Sequence, residues 1–506
     1  MKGRGSNPGV GSRFALKATG AEWEIALLLF RFVGNNHGAP DRQRQATAAG
    51  SAHCSKRKAA KMIRSSSSPR VITAALATSL LAAALFAVPA SAKPVRAAAA
   101  NPQYSSLMQD VLINADYWDK KPKMLAAGLG FTNILGVTNA DSTDLSVAQA
   151  AVQAVSGAWN VGLTCSSTST PPQRAYTSAA SPSQILDGYG ASINTGSGLP
   201  VEFSWPVLPS TVNPTDFQVT LSNGSVVTPE GVSIVPNFEY NERSTVVLVG
   251  PFGTPFPSDQ GGVYVTKVAV VSDGTPMKLI GPRAKKVSAV GMSATKTTSP
   301  YDLPSSDPTD WTGPKLTAGK ISKMSTAGEM APTLFGGNLE NDGVDLYGKA
   351  AKFRIRVLTT GGFSPDGIRG IYPTDYRNFF QVVARSKSGK LVRLITPNKT
   401  YYIDGQPLRV LGLADVGMKE SSYDYCYTDD HDNQFDIVLG GSIKAAERVR
   451  TVVIPATGNG YQPFYNPGGP GTTPVEGIFY TSPGPRYEQK IVNALRDPMT
   501  VTYVKK

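Results

Sequence analysis

The sequence predicts a mainly β protein with two β-sandwich-like domains, preceded by a small helical region. Two observations support this fold class. From about residue 199 onward the chain is dominated by short strand-like runs, and dipeptides that favour tight turns lie among them. Composition agrees: Gly and Pro number 50 and 38 of 506 residues, and charged residues make up 17%. Such a composition is typical of a loop-rich globular chain and disfavours a coiled coil.

Residues 62–92 have the pattern of a cleaved signal peptide. Arg64 and Arg70 form a short positive region, Val71–Val88 is rich in Ala and Leu, and a small-residue site ends at Ala92. We therefore expect cleavage near Ala92 and a secreted or periplasmic chain. A membrane anchor is the alternative, because this stretch of 18 residues, in which only Thr and Ser are polar, reaches the lower limit for crossing a bilayer. After cleavage we expect no membrane span.

Residues 1–61 precede this pattern without sustained periodicity. We interpret them as a leader that is either untranslated, with translation starting at Met62, or disordered. Residues 1–92 carry a net charge of +10, whereas residues 93–506 carry only +3. A nucleic-acid-binding protein concentrates basic charge in its folded part. The charge distribution therefore predicts no nucleic-acid partner.

The exported part begins with helix-like sequence. Apolar residues from Tyr104 to Trp118 follow helical spacing, and a second helix is predicted from Asp144 to Ser156, with Gly157 placed to end it. The stretch from Cys165 to Gln184 is rich in Ser, Thr, Pro and Ala, which predicts a long surface loop.

Four dipeptides lie beside strand-like runs and permit the positive φ angles of tight hairpins. They are Asn223-Gly224, Asp273-Gly274, Ser388-Gly389 and Asp404-Gly405. A late helix is predicted from Arg486 to Arg496. The predicted divisions are 1–61 (leader), 62–92 (signal peptide), 93–198 (helical region and loop), 199–298 (first β-domain), 299–330 (Pro-rich linker) and 331–506 (second β-rich domain).

Several chemistries are disfavoured by missing residues. His431 is the only histidine after the leader, so a multi-histidine zinc centre is excluded in the exported chain. No G-x-S-x-G motif is present, and a Ser-His-Asp hydrolase would have to use His431 as its base. Phosphate-binding and dinucleotide-binding glycine motifs are interrupted by Pro314 and Asn133.

Cys165 and Cys426 are the two cysteines that follow the leader. In an exported protein such a pair indicates a disulfide between the helical region and the last domain. Two alternatives stay open: the cysteines could be buried and unpaired, or Cys426 could form a nucleophilic pair with His431.

An acidic cluster near the C-terminal third is the candidate metal site. Five carboxylates within 13 positions repel one another unless a cation or arginines compensate. Calcium binds six to eight oxygen ligands and suits such a loop. The predicted ligands are Asp424, Asp429, Asp430, Asp432 and Asp436. The alternative is a solvated hairpin tip, since the spacing does not match an EF-hand.

Two function classes remain, and no motif indicates a known family. The first is a non-enzymatic exported protein that binds an extracellular partner, a glycan or a surface component. The second is a secreted carboxylate-dependent hydrolase that acts on a polysaccharide, since its two acids can come from distant positions. Aromatic residues that could line a sugar-binding surface are Trp205, Tyr372, Tyr461, Phe464 and Tyr465. Packing in a core is their alternative role.

Overall fold

The chain is mainly β, as predicted, with several sheets and a small helical region near the start of the described part. The computed structural model describes residues 102–128, 130–166, 168, 170–253, 263–295, 315–324, 331–332, 338–339, 343–417, 419–429, 433–456, 458–462, 464–465, 481–482 and 486–505. The predicted leader and signal peptide, and most of the predicted linker, lie outside these residues.

The elements before residue 300 include four α-helices and twelve strands within the described residues. The helices are α1 (Pro102–Leu107), α2 (Leu145–Ala154), α3 (Gln173–Tyr176) and α4 (Pro182–Tyr189). The strands are β1 (Val111–Asp116), β2 (Met124–Ala127), β3 (Phe131–Leu135), β4 (Gly196–Phe203), β5 (Phe217–Leu221), β6 (Val226–Val227), β7 (Gly231–Ser233), β8 (Thr245–Gly250), β9 (Val265–Val270), β10 (Lys278–Gly281), β11 (Lys285–Ser288) and β12 (Ser293–Ala294).

The later elements include three further helices in the described part of the chain. These are α5 (Gly343–Tyr347), α6 (Tyr376–Phe379) and α7 (Ile443–Ala446). The strands are β13 (Leu316–Lys323), β14 (Ala331–Pro332), β15 (Asn338–Leu339), β16 (Phe353–Thr359), β17 (Gln381–Arg385), β18 (Leu391–Leu394), β19 (Tyr401–Ile403), β20 (Gln406–Ala414), β21 (Gln434–Gly441), β22 (Val449–Ile454), β23 (Phe464–Tyr465), β24 (Thr481–Ser482), β25 (Tyr487–Lys490), β26 (Val492–Asn493) and β27 (Thr500–Val504).

Two sheets form the first sandwich-like part. One has the order β2-β4-β8-β7, with β3 also paired to β4, and the other has the order β12-β9-β5-β6. Their inward side chains share one apolar core, in which Phe203, Phe217, Val219, Leu248 and Val268 are fully buried. Burial of this apolar surface is the main force that holds the two sheets together.

Two further sheets form the second sandwich-like part. A six-stranded sheet, β19-β20-β21-β16-β13-β26, faces the four-stranded sheet β18-β17-β22-β25. Ile355 and Val357 from the first sheet, and Val382 and Val452 from the second, lie in a common core. The first and last of the described strands also pair, because β27 lies antiparallel to β1. All described residues belong to one compact unit.

Strand β16 positions the charged groups described below. Its sequence alternates apolar and basic residues: Phe353, Ile355 and Val357 point into the second core, whereas Arg354 and Arg356 occupy the alternate positions. Every residue of the strand is nevertheless buried. The second face of the sheet is therefore covered by protein, and part of that cover is Asp116 of β1, which pairs with Arg356.

The predicted helix at Asp144 is confirmed. Helix α2 begins after Asp144, whose carboxylate accepts a hydrogen bond from Ser146 N at 2.9 Å, as expected for an N-cap residue. The predicted helix from Tyr104 to Trp118 is correct only as far as Leu107 and is wrong beyond it. Helix α1 ends at Leu107 because the following residues form β1, which pairs with the C-terminal strand β27.

Three of the four predicted hairpins are confirmed: β5 pairs with β6, β17 with β18, and β19 with β20. Gly224, Gly389 and Gly405 have φ values of +83°, +87° and +75° at these turns. The hairpin predicted at Asp273-Gly274 is wrong. A turn is present, but β9 pairs with β5 and β12 while β10 pairs with β11. The late helix predicted from Arg486 to Arg496 is also wrong, since β25 and β26 occupy that stretch.

Candidate functional site

A disulfide between Cys165 and Cys426 joins two distant loops. The sulfur atoms are 2.07 Å apart and the Cα atoms 5.4 Å apart. Beside it, Cys426 N donates to Asp424 Oδ1 at 2.9 Å, and the amide of Ser166 also donates to that carboxylate. The pairing predicted from the cysteine count is therefore confirmed. A disulfide cysteine has no thiolate, so the alternative nucleophile built from Cys426 and His431 is excluded.

An ion pair between Arg174 and Asp429 also links the segment that contains Cys165 to the loop that contains Cys426. Arg174, on α3, donates from Nη1 to Asp429 Oδ1 at 2.9 Å and from Nη2 to Thr428 Oγ1 at 3.2 Å, and its Nη2 also contacts the carbonyl oxygen of Tyr427. The loop between β20 and β21 is thus tied to the segment that follows α2 by a covalent bond and by a charged hydrogen bond. Such bracing reduces the conformational freedom of the side chains that the loop presents.

Tyrosine rings cluster on this braced loop and on the loop between β16 and β17. Tyr427 is buried and contacts Tyr372 and Tyr423 edge to face, with centroid distances of 5.4 and 4.9 Å. Tyr372 and Tyr423 stack at 5.9 Å and are only half-buried. The Arg369 guanidinium lies 3.7 Å from the centroid of Tyr372, a cation–π contact. We call Tyr372, Tyr423, Tyr425, Tyr427 and Arg369 the tyrosine patch.

Hydrogen bonds fix the polar members of the patch. Arg369 pairs with Asp375 at 3.0 Å, and Tyr425 donates its hydroxyl to Asp366 Oδ2 at 2.8 Å. Burial raises the pKa of Tyr372, and burial together with Asp366 raises the pKa of Tyr425. These two phenols therefore stay neutral at physiological pH. The patch offers the half-exposed rings of Tyr372 and Tyr423 in a fixed arrangement, with the Arg369 guanidinium against Tyr372.

The predicted metal ligands lie in different surroundings. Asp424 accepts from the backbone beside the disulfide, and Asp429 pairs with Arg174. Asp436 lies on β21 and pairs with Arg354 and Arg356. The remaining two predicted ligands, Asp430 and Asp432, lie outside the described residues, as does His431. Calcium binding by this cluster stays a prediction.

The aromatic residues that were predicted to line a sugar-binding surface also lie in different parts of the structure. Tyr372 belongs to the tyrosine patch, whereas Trp205 and Phe464 are buried in the two cores. Tyr461 lies against Arg377, whose guanidinium is 4.8 Å from the ring centroid. The side chain of Tyr465 lies outside the described residues.

Sequence reasoning did not assemble the patch. Of its tyrosines, only Tyr372 was among the residues predicted to line a sugar-binding surface. The sequence feature that could have indicated the patch is the alternation of tyrosines at positions 423, 425 and 427 around Cys426, which forms the disulfide.

A second polar cluster, the charged interface, lies between the two sandwich-like parts. Arg356 donates from Nε and Nη2 to the two oxygens of Asp436 at 2.8 and 3.0 Å, and from Nη1 to Asp116 Oδ2 at 3.0 Å. It also contacts Asp415. Burial alone would lower the pKa of Arg356, but these three carboxylates together raise it well above its usual value.

Lys320 on β13 completes this set. Its Nζ contacts Asp116 and donates to the carbonyl oxygens of Pro498 and Met499 at 2.6 and 2.7 Å, so its three donors have three acceptors. Burial would raise the pKa of Asp116, yet Lys320 and Arg356 outweigh it and hold that pKa below its usual value. The ion pairs therefore join β1 to β13 and β16.

Carboxylates exceed cations in this interface. Glu239, Glu242 and Asp415 are buried and have carboxylate oxygens within 4.8 Å of one another. Burial raises the pKa of Glu239 well above its usual value, and the charges of Asp415 and Glu242 add to that effect. The Asn241 amide, oriented to satisfy both neighbours, donates to Glu239 Oε2 at 3.0 Å and accepts from Arg356 at 2.8 Å. A proton on Glu239 therefore relieves the repulsion.

Comparisons with protein-family models, with curated proteins and with solved structures gave no match to this chain. Within the described part of the chain, no helix combines the length and the apolar character that crossing a membrane requires.

Proposed function

We propose that this chain is an exported, non-enzymatic protein that binds an extracellular glycan through the tyrosine patch. The observation that carries the proposal is the set of half-buried rings of Tyr372 and Tyr423 over buried Tyr427, held by a disulfide. Rigid aromatic rings beside a cation and carboxylates present an apolar face and polar edges together. Sugar rings have complementary apolar faces and hydroxyl edges.

Export is supported by two independent features. Disulfides form and persist in oxidising compartments such as the periplasm and the extracellular space. The disulfide between Cys165 and Cys426 fits that environment. The sequence pattern of residues 62–92 fits a signal peptide.

The hydrolase alternative has one observation in its favour. Burial raises the pKa of Glu239, which lies beside Asp415, and a carboxylic acid that keeps its proton can act as a general acid. Both side chains are buried, however, and Asp415 is paired with Arg356. A polysaccharide would have to reach them through the interface between the two parts, so we favour binding at the surface.

Binding to a panel of neutral and acidic oligosaccharides tests the proposal. We expect Tyr423→Ala to weaken the Kd of a bound glycan about tenfold, since an aromatic binding residue typically contributes more than 1 kcal/mol. Tyr402→Ala is the matched control, because Tyr402 is 69% exposed on the edge strand β19, outside the patch.

Two results would contradict the proposal. Equal affinity of wild type and Tyr423→Ala for every bound glycan would remove the patch as the binding site. Release of reducing ends from a panel member, lost in Glu239→Gln, would favour the hydrolase.

A further inference from the structure

Glu202 connects the two sandwich-like parts without a basic partner. It lies near the end of β4 and is fully buried. Its Oε2 contacts Thr317 Oγ1 on β13, and its Oε1 lies 3.4 Å from Asn433 Nδ2 at the start of β21. None of the ion pairs among the described residues includes Glu202. An ionised carboxylate here would be a buried charge with no counter-charge, which is very unfavourable.

The hydroxyl of Thr317 indicates where a proton lies. Thr317 Oγ1 is in contact with Glu202 Oε2 and is also 3.2 Å from the carbonyl oxygen of Leu358. A hydroxyl has one proton to donate and lone pairs to accept, whereas a carbonyl oxygen can only accept. Both contacts are hydrogen bonds at the same time if Glu202 carries a proton. Glu202 then donates to Thr317, and Thr317 donates to Leu358.

The amide of Asn433 supports the same assignment. Its Nδ2 has two hydrogens and lies 3.0 Å from both Thr245 Oγ1 and Thr359 O, closer than it lies to Glu202. The two closer acceptors use the two hydrogens, so Asn433 gives Glu202 little compensation. On its other side, Asn433 Oδ1 accepts from Asn237 Nδ2 at 3.0 Å. Asn433 thus links the two sandwich-like parts by hydrogen bonds, but it donates no strong hydrogen bond to Glu202.

We infer that Glu202 is a neutral carboxylic acid in the folded protein and acts as a pH-sensitive latch between the two sandwich-like parts. In the closed state its O–H group donates across the interface to Thr317. Loss of that proton at alkaline pH leaves an uncompensated anion between β4 and β13. The contact between the parts then weakens, because the anion gains hydration when the interface opens.

The direction of titration agrees with this geometry. Burial raises the pKa of Glu202 to about 8, and the contacts with Thr317 and Asn433, which would favour an ionised Glu202, offset the effect of burial only in part. The titratable group that faces Glu202 from β25 is Tyr487, whose pKa is raised by its own burial and then by Glu202. Lys315, just before β13, has its Nζ 6.0 Å from the Tyr487 ring.

The sign of the pH dependence follows from proton binding. An unfolded Glu has a pKa near 4.5, so the folded protein binds an extra proton between about pH 4.5 and pH 8. The stabilisation from protonated Glu202 is complete below about pH 4.5. It decreases as the pH rises to about 8 and is lost above that value.

Chemical denaturation of the full exported chain from pH 5 to pH 9.5 tests the latch. We compare wild type with Glu202→Gln, which keeps a donor and an acceptor but cannot titrate. We expect similar stability at pH 5 and greater stability of Glu202→Gln at pH 9. The ratio of their folding equilibrium constants should change on the order of a thousandfold. The titration of Glu239 is common to both proteins and cancels in that ratio.

Three further variants keep the test decisive. Glu230→Gln is the matched control, because Glu230 is exposed and its removal should leave the wild-type profile unchanged. Tyr487→Phe removes the neighbouring phenol and should preserve the pH dependence. If Glu202→Gln does not fold, Glu202→Leu serves as a second variant that cannot titrate. Parallel profiles of wild type and either Glu202 variant would show that Glu202 binds no extra proton on folding, and the latch would be wrong.

Discussion

The Arg356 side chain alone compensates the charges of several buried carboxylates in the charged interface. A guanidinium has five N–H donors in a planar fork, and here it contacts Asp116, Asp415 and Asp436 together. Desolvation of so many charges is costly, and it is offset only when each charge keeps its partners. The charged interface therefore specifies how the two parts meet, since displaced pairs would be left without compensation.

Removal of that cation should be severe. We expect Arg356→Met to lower the free energy of unfolding by about 3–5 kcal/mol, because three buried carboxylates lose their shared partner. Urea denaturation at neutral pH measures the change. Arg385→Ala is the control, since Arg385 is exposed on β17 and its loss should change stability by less than about 0.5 kcal/mol. Equal effects of the two substitutions would show that the interface pairs contribute little.

Individual residues differed in how far the sequence predicted them. The disulfide could be predicted from the sequence, because only Cys165 and Cys426 follow the predicted signal peptide. The ion pairs of Arg356 could not be predicted, because alternation of Arg and apolar residues in β16 is typical of a strand with one solvated face. Burial of the second face depends on a distant part of the chain. The sequence gives no local sign of that contact.

At the scale of elements, turn chemistry was the most reliable predictor. Asn-Gly, Ser-Gly and Asp-Gly turns identify hairpins when the flanking strands have no better partner, as for β5–β6, β17–β18 and β19–β20. The turn at Asp273-Gly274 satisfies the same local rule, yet its strands pair elsewhere. Two short stretches predicted as helices became strands, because pairing with distant strands outweighed helical spacing.

Hairpin β17–β18 allows a direct test of turn chemistry. Gly389 has a φ of +87° and open space around its missing side chain, so Gly389→Ala introduces backbone strain without a steric clash. We expect a loss of about 1 kcal/mol in the free energy of unfolding. In Gly130→Ala the new Cβ would lie 3.5 Å from Pro200 Cδ, an ordinary contact, and no positive φ is involved. An equal loss in both variants would contradict the assigned turn.

For the whole molecule, the prediction of a mainly β chain with sandwich-like parts agrees with the structure. The basic net charge of +13 resides mostly in residues 1–92, so it says little about the surface that residues 93–506 present. The tyrosine patch combines loops separated by some 50 residues, between β16–β17 and β20–β21, and braces them to a third near Cys165. Its existence follows from tertiary contacts, which explains why single motifs did not predict it.

The export of a chain closed by a disulfide is central to the proposed function, and intact mass with N-terminal sequencing of the secreted protein tests it most directly. We predict a chain that begins at Lys93, in which Cys165 and Cys426 resist alkylation until a reductant is added. In the chain-entropy model a loop this long contributes about 5 kcal/mol, so reduction should also lower the melting temperature markedly. Retention in the cell of a chain that includes residues before Met62, with both thiols open to alkylation, would contradict the account.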